Sequence, residues 1–406
     1  MKRKNLYHSR IHGKNADQLV IVIKKKLSVC MITCWYHDIS MANYSENLLN
    51  ELIKRDVSVK VVTSHCACKY KYRGSPTLFG GKYCLVNTPF DSYADKPDRS
   101  RIQSLFYRAS RIPLGALYAK QCRDSDILHY QQSSIYSFGE LPLLTLLTQS
   151  KAPCKVVTIH NLYIDRLYGR GNPLRLLPRV YQYADAVIVH SKRQKDRLMQ
   201  VGIPEDKIHV VFIGSQKVNL RGLARTRVAF FGSPEEFKGF FSLLKALRIL
   251  RDEGIKVNLE VYGIYGKEDE EKTKNEARRN NVEDQVKWYG SLSEREFDEK
   301  MQESIFTFAI PTEPVWGSSI ITRAMMNGTP VIATPLGGSS EYLGDAGVYV
   351  SPNDPASLAS AVRDLLENRR LREDLGKMVR QRALQYLSWE AIAEKTIQIY
   401  QSVLNT

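Results

Sequence analysis

Short apolar runs alternate with longer amphipathic segments from about residue 27 to the end of the chain. A strand buried on both faces needs a continuous apolar run, and a helix lying on it needs an apolar stripe at helical spacing. The alternation therefore predicts parallel sheets covered by helices. Strand-like runs occupy 27–36, 57–63, 83–87, 126–130, 155–160, 186–190 and 209–214. Between them, 43–55 places Leu48, Leu49 and Leu52 on one helical face, and 101–120 and 192–201 read as further helices. Residues 65–82 are irregular and polar. The stretch 215–226 is polar, has no periodicity and reads as a linker. A second series follows, with strand-like runs at 227–232, 257–262, 286–289, 306–310, 331–334 and 348–350. Its helices are expected at 238–251, 355–368 and 389–404.

This pattern predicts an α/β chain of two doubly wound, Rossmann-like domains facing each other across a cleft. The expected boundaries are a basic tail at 1–25, a first domain at 26–214, the linker at 215–226, a second domain at 227–388 and a final helix at 389–406. With 406 residues and 43% hydrophobic content, the chain can bury two cores. No apolar run approaches the ~18 residues of a membrane span. The early run Leu19 to Ile23 is hemmed by Lys24, Lys25 and Lys26 and is too short for a signal core. A cytoplasmic, membrane-peripheral location is the expectation.

Charge divides as the chain does. Residues 1–220 carry 34 Lys and Arg against 16 Asp and Glu, and residues 221–406 carry 25 against 27. The basic half suits two readings equally, a solubilising surface or attraction to an anionic membrane surface or lipid-linked acceptor. It carries no nucleic-acid motif, so nucleic acid is not an expected partner. All seven cysteines lie at or before Cys154, and reduced thiols are expected. Cys30 and Cys34 near His37, and Cys66 and Cys68 near His65, do not have the spacing of paired zinc ligands. No metal site is predicted; Cys30 and Cys34 read as core.

Two segments carry chemistry. In 304–343 an apolar run ends at Pro311 and opens on Glu313. A Gly317-Ser318-Ser319 turn leads into a helix through Ala324 to Gly328, and a second strand ends in Gly337-Gly338 and Glu341. This βαβ unit gathers a carboxylate, small residues and a helix start at one sheet edge, which suits a phosphorylated, hydroxyl-rich ligand. In 228–239 a strand enters a turn at Gly232-Ser233, with Lys238-Gly239 before the next helix. A lysine placed there neutralises a diphosphate.

Taken in order, these pieces resemble the retaining glycosyltransferases of family four, which have the GT-B fold. The likeness runs from about residue 27 through most of the chain. It rests on the strand 157–160 ending in His160, the segment 184–191 with Arg197, Leu198, Gly202, Lys207 and Ile208, and Phe231-Gly232 with Lys238-Gly239. It continues with Glu313, Ala324-Met325, Gly328-Thr329-Pro330-Val331 and Gly337-Gly338 before Glu341. The resemblance implies sugar transfer from a nucleotide-diphosphate donor with anomeric retention, without metal or cofactor. The acceptor, a glycan or a lipid-linked glycan, would lie on the first domain. By position Lys238 would steady the leaving diphosphate, Glu313 would hold donor-sugar hydroxyls, and His160 would touch the sugar from the opposite domain. Gly232, Ser233, Trp316, Gly317, Ser318, Ser319, Arg323, Gly337 and Gly338 complete the expected donor site, and Ser40, Met41 and Ala42 fall in the acceptor region.

Three departures stand out. Ser233 occupies a place where the family has arginine. Arg323 stands where the family has a second glutamate, and ten residues after Glu313 rather than eight. Ile39-Ser40-Met41-Ala42 replaces an expected glycine pair. The reciprocal changes suggest that Arg323 restores the charge missing at Ser233.

Overall fold

The computed structural model describes residues 26–33, 39–65, 82–87, 112–132, 140–160, 180–263 and 267–406. The basic tail at 1–25, and Cys34, His37, Cys66 and Cys68, lie outside them.

Seven parallel strands form the first sheet, in the order β3-β2-β1-β4-β5-β6-β7. They are β1 (Ser28–Ile32), β2 (Ser58–His65), β3 (Lys82–Asn87), β4 (Ile127–Gln132), β5 (Cys154–Ile159), β6 (Ala186–Val189) and β7 (Ile208–Val210). The helices α1 (Ile39–Lys54), α2 (Ile112–Gln121), α3 (Glu140–Gln149) and α4 (Lys192–Gln200) join them. Helices cover both faces, so the central strands are buried; Val29, Cys30, Met31 and Ile32 of β1 are all buried, and β4 and β5 bury the polar His129, Gln131 and Thr158 among their apolar residues.

The second sheet has six parallel strands in the order β10-β9-β8-β11-β12-β13. These are β8 (Arg227–Phe231), β9 (Leu259–Tyr262), β10 (Val286–Tyr289), β11 (Ser304–Ala309), β12 (Val331–Ala333) and β13 (Val348–Tyr349). Its helices are α5 (Phe240–Asp252), α6 (Lys267–Arg279), α7 (Glu294–Glu303), α8 (Ser319–Met326), α9 (Ser339–Leu343), α10 (Pro355–Glu367) and α11 (Arg369–Tyr386). Apolar clusters fill both faces of each sheet. The α/β class and the two-sheet architecture read from the sequence are therefore present.

The last helix, α12 (Trp389–Leu404), leaves the second domain and packs on the first. Its Trp389, Ile392, Ala393, Ile399 and Tyr400 join Val29, Met31, Leu48 and Leu49 in one cluster. The two crossings between domains run side by side: Ser215 N–H donates to the Leu387 carbonyl at 2.7 Å, and Ser215 bridges Ser388. Trp389 lies on the backbone of Gly214, where an added Cβ would stand 2.6 Å from the indole.

Two sequence expectations need correction. The reading of two closing helices omits α11, whose sequence is rich in arginine and interrupts its apolar stripe with Glu373, Asp374 and Lys377. Reduced thiols were expected throughout, but Cys30 of β1 and Cys122 after α2 form a disulfide with Cα atoms 5.3 Å apart. The sheet brings together two cysteines that are 92 positions apart in the chain, which spacing alone does not reveal. Cys154 is a free, buried thiol. Among the described residues no group of three or more His, Cys, Asp or Glu is placed to hold a metal ion, and no helix is long and apolar enough to cross a membrane.

Candidate functional site

In the second sheet the strand order reverses between β8 and β11, which places the ligand crevice beyond their carboxyl ends. Gly232 ends β8 with φ of 109°. Gly263 at the end of β9 comes so close that a Cβ there would stand 2.3 Å from the Gly232 carbonyl oxygen. Beyond this bare corner the Ser233 hydroxyl donates to Glu235, and the Lys238 ammonium donates to the Ser233 hydroxyl. Lys238 Nζ also lies 3.5 Å from Glu235 Oε1, the two side chains being 35% and 36% exposed.

The loop 232–239 is tied to the end of β11. Gly239 has φ of 79°, and a Cβ there would meet the Ile310 carbonyl oxygen at 1.9 Å, so only glycine lets the two backbones touch. The Thr312 N–H and hydroxyl both donate to the Phe237 carbonyl, at 2.8 and 3.2 Å. Glu313 is thereby brought beside the loop, and Glu235, Phe237, Lys272, Thr312 and Glu313 line one cavity of about 460 Å³.

From Glu313 the chain runs across to the first domain. Trp316 packs on that domain's apolar core. A Cβ on Gly317 would stand 2.4 Å from Ile213 Cδ1 and 3.3 Å from His190 Cβ. The Gly337-Gly338 turn forms the seat beneath. Gly337 has φ of 60°, its Cβ would strike the Val315 carbonyl oxygen at 2.1 Å, and Gly338 N–H donates to that carbonyl at 2.9 Å. Ser318 caps α8 by accepting from the Ile321 N–H, and Ser319 is the first residue of that helix.

Further bonds join the domains just beyond this turn. The Glu341 carboxylate accepts from the N–H groups of Lys192 at 2.6 Å and Arg193 at 3.0 Å, capping α4 across the interface. Arg193 Nη1 donates to the Pro335 carbonyl at 2.5 Å. The Tyr342 hydroxyl accepts from Ile213 N–H at 2.8 Å and donates to the His190 carbonyl at 3.1 Å.

Opposite lies an edge built from buried, uncharged polar groups. His160 follows β5 and is 7% exposed, and His190 follows β6 and is fully buried. His160 Nδ1 lies 2.9 Å from His190 Nε2, and His160 Nε2 lies 2.7 Å from Gln131 Oε1. His190 Nδ1 lies 2.8 Å from the Val211 carbonyl oxygen. Deeper in, His129 Nε2 lies 2.7 Å from Thr158 Oγ1 and its Nδ1 2.5 Å from the hydroxyl of Tyr400 on α12. The Tyr44 ring from α1 meets His160 edge-on at 4.6 Å. Gln194 clamps the two strand ends, accepting from His190 N–H at 2.7 Å and donating to the Ile159 carbonyl at 2.8 Å. Burial pushes His129 down to about 3 and His190 down to about 4, the latter opposed by the Val211 carbonyl. His160 is held well below the usual histidine range by burial and then by His190 and His129.

Lys238 and Ser233 are thus brought together and Glu313 lines a cavity with Glu235 of the same loop, while Trp316 and Gly317 reach the first domain. His160 stands at the facing strand edge, but both of its ring nitrogens are directed at protein partners rather than outward. Arg323 is committed to α7: it pairs with Glu294 at 2.9 Å and Asp298 at 3.0 Å and lies 3.7 Å over the Phe297 ring. These contacts give no support to Arg323 as a replacement charge for the Ser233 loop. Ser40 and Met41 fall in the first turn of α1, and Ala42 is fully buried, which leaves it no surface to offer an acceptor. Sequence reasoning passed over His190, Gln131, Gly263 and the capping role of Glu341. The one signal was positional, since His190 and Gln131 both stand at or just past the carboxyl end of an apolar run.

A loop bearing charged side chains on one parallel sheet, set opposite a polar strand edge on another, defines a two-domain GT-B architecture. Solved structures share it over nearly the whole chain. Sucrose-phosphate synthase from Thermosynechococcus elongatus matches with a TM-score of 0.73 at 18% identity, covering 94% of this chain and 100% of that one. A glycosyltransferase from Rickettsia africae matches at 0.70 and 17%, with coverage of 94% and 100%. HepE of Anabaena in complex with UDP matches at 0.69 and 15%, with coverage of 93% and 100%. At these identities the likeness shows the fold alone. The model for Glycosyltransferase Family 4 matches residues 41–214, and that for Glycosyl transferases group 1 matches residues 204–382. The chain belongs to this glycosyltransferase family. Among curated relatives, the MMP alpha-(1->4)-mannosyltransferase of Mycolicibacterium hassiacum is 26% identical over 248 residues, which are 59% of this chain and 59% of that one. The chain thus spans about three fifths of that relative's length.

Proposed function

We propose that this protein transfers a sugar from a nucleotide-diphosphate donor to a glycan or lipid-linked acceptor, with retention at the anomeric carbon. The process it serves is synthesis of a surface polysaccharide, oligosaccharide or glycolipid. One observation carries the reading: the segment from Thr312 to Gly317 begins bonded to the Lys238 loop and ends against His190 of the other domain. A donor lying along it would have its diphosphate at the loop and its sugar toward the facing edge. Lys238 and the Ser233 hydroxyl would stabilise the charge that grows on the leaving phosphate. Glu313 would accept hydrogen bonds from donor-sugar hydroxyls and fix the ring for attack. The crystallisation of HepE with UDP and with UDP-glucose supports a nucleotide sugar as the donor class. The basic first half supports work at an anionic membrane surface.

A second reading, a weakened GT-B protein that binds a glycan or a partner protein, is favoured by one feature. Glu235 stands 3.5 Å from Lys238 inside the phosphate loop, and Ser233 adds no positive charge. A thermal-shift panel of UDP, GDP, ADP and their sugars, followed by nucleotide release with acceptor glycans, separates the two. Stabilisation by one nucleotide family together with release and an NMR-defined retained product supports the enzyme. Binding without release supports the second reading, and no stabilisation by any donor overturns the first.

A further inference from the structure

A neutral imidazole has one N–H and one lone pair, so in a buried chain each ring fixes the next. The Val211 carbonyl only accepts, so the proton on His190 is at Nδ1, 2.8 Å away. Neutral His190 then presents a lone pair at Nε2, and His160 must donate to it from Nδ1 across 2.9 Å. Neutral His160 in turn accepts at Nε2. The end of the Gln131 amide 2.7 Å from it must therefore be the N–H end.

The two ends of an amide are nearly equal in shape and exchange by a half-turn. Turned this way, the Gln131 oxygen faces His129 Nε2 across 3.2 Å. His129 donates there and to Thr158, and accepts at Nδ1 from the Tyr400 hydroxyl. Every donor then points the same way, from Tyr400 through His129, Gln131, His160 and His190 to Val211. With the amide oxygen toward His160 instead, the same distances require an extra proton on the pair, as an imidazolium at His160 or at His190. Burial beside two other histidines and the Tyr44 ring opposes that charge.

We propose that Gln131 and His190 are positioning residues for His160, fixing its proton on Nδ1, and that the orientation of the Gln131 amide determines whether the His160–His190 pair is neutral or carries a charge. The consequence for catalysis rests on the glycosyl-transfer reading: the chain holds rigid and uncharged the edge that Gly317 and Trp316 meet.

The test is long-range ¹H–¹⁵N correlation spectroscopy on histidine-labelled protein at pH 7, with His160 assigned by substitution. A neutral ring protonated at Nδ1 is expected; an Nε2–H tautomer or an imidazolium in the unaltered protein overturns the proposal. Gln131→Glu places an acceptor-only group at Nε2, and the His160–His190 pair is expected to gain one proton; two neutral rings in that variant also overturn the proposal. In kinetics, Gln131→Glu and His190→Phe are expected to lower kcat about tenfold while KM for the nucleotide sugar stays within about twofold. His190→Gln, which keeps both a donor and an acceptor, restores most of the loss, and equal loss in His190→Gln and His190→Phe counts against positioning. The spectrum requires no substrate, and its assignment needs only a folded His160 variant, active or not. A protein that turns over no nucleotide sugar therefore overturns the proposed activity and leaves the tautomer result standing.

Discussion

The two edges of the cleft are made from opposite materials. On the second domain, Ser233, Glu235, Lys238 and Glu313 are hydroxyl and ionisable groups at strand ends, with Lys238 and Glu235 about one third exposed. On the first, His129, Gln131, Thr158, His160 and His190 are buried and linked to one another. A partly exposed ion costs less to desolvate than a buried one and suits a ligand that brings charge. A buried neutral chain gains nothing from charge but holds its geometry closely. One edge is built to bind and the other to stay still.

The largest test of this contrast is acid. Histidines held below their ordinary range refuse protons when folded and take them when unfolded. Their contribution is therefore complete above about pH 6.5 and falls as pH drops toward the folded values. His129, His160 and His190 are expected to cost the first domain about 4 kcal/mol between pH 7.5 and pH 5.5, at about 1.4 kcal/mol per pH unit each below pH 6.5. Urea denaturation followed across that range reads this directly; a flat profile would mean that the histidines are not buried and neutral together.

Next in size is Lys238→Ala. Loss of the only cation in the loop 232–239 is expected to lower nucleotide-sugar turnover about 10²–10³-fold with the fold intact, as judged by circular dichroism. Turnover within threefold of the unaltered protein would move the charge-binding role elsewhere. Glu341→Gln probes the contact between the edges. It keeps the shape but removes the charge facing the first N–H groups of α4, and a loss of about 1 kcal/mol is expected by chemical denaturation. Smallest is Arg323→Ala. With its guanidinium held by Glu294, Asp298 and Phe297, the change is expected to cost about 1 kcal/mol of stability and to leave donor affinity within twofold. A tenfold weaker donor would restore Arg323 to the site.

Legibility from sequence divides along the same line. Strands show because an apolar run buried on both faces is visible without knowing its neighbours; the runs at 286–289 and 331–334 lie on β10 and β12 almost residue for residue. The helix α11 was hidden because most of its residues face solvent and only Leu375, Gly376, Val379 and Ala383 are buried. Lys238 and Glu313 were nameable as candidates because their meaning is local, a lysine after a glycine turn and an acid after a strand. The histidine chain was not, since His129, His160, His190 and Tyr400 become neighbours only once four separate elements are assembled. The same is true of Cys30 and Cys122, and of Glu341, whose partner helix begins 149 positions earlier. A capping acid usually sits on its own helix, and nothing in the local sequence says otherwise.

The final helix bears on how the chain is made. Its 16 residues are made after the whole of the second domain, yet Trp389, Ile392, Ile399 and Tyr400 complete an apolar face of the first domain. Among the described residues no segment before 389 supplies those side chains, so that face is covered by them only after the second domain has been made. The first domain is therefore made before the second but finished after it, and a ribosome stalled before residue 389 would hold a chain with an open core.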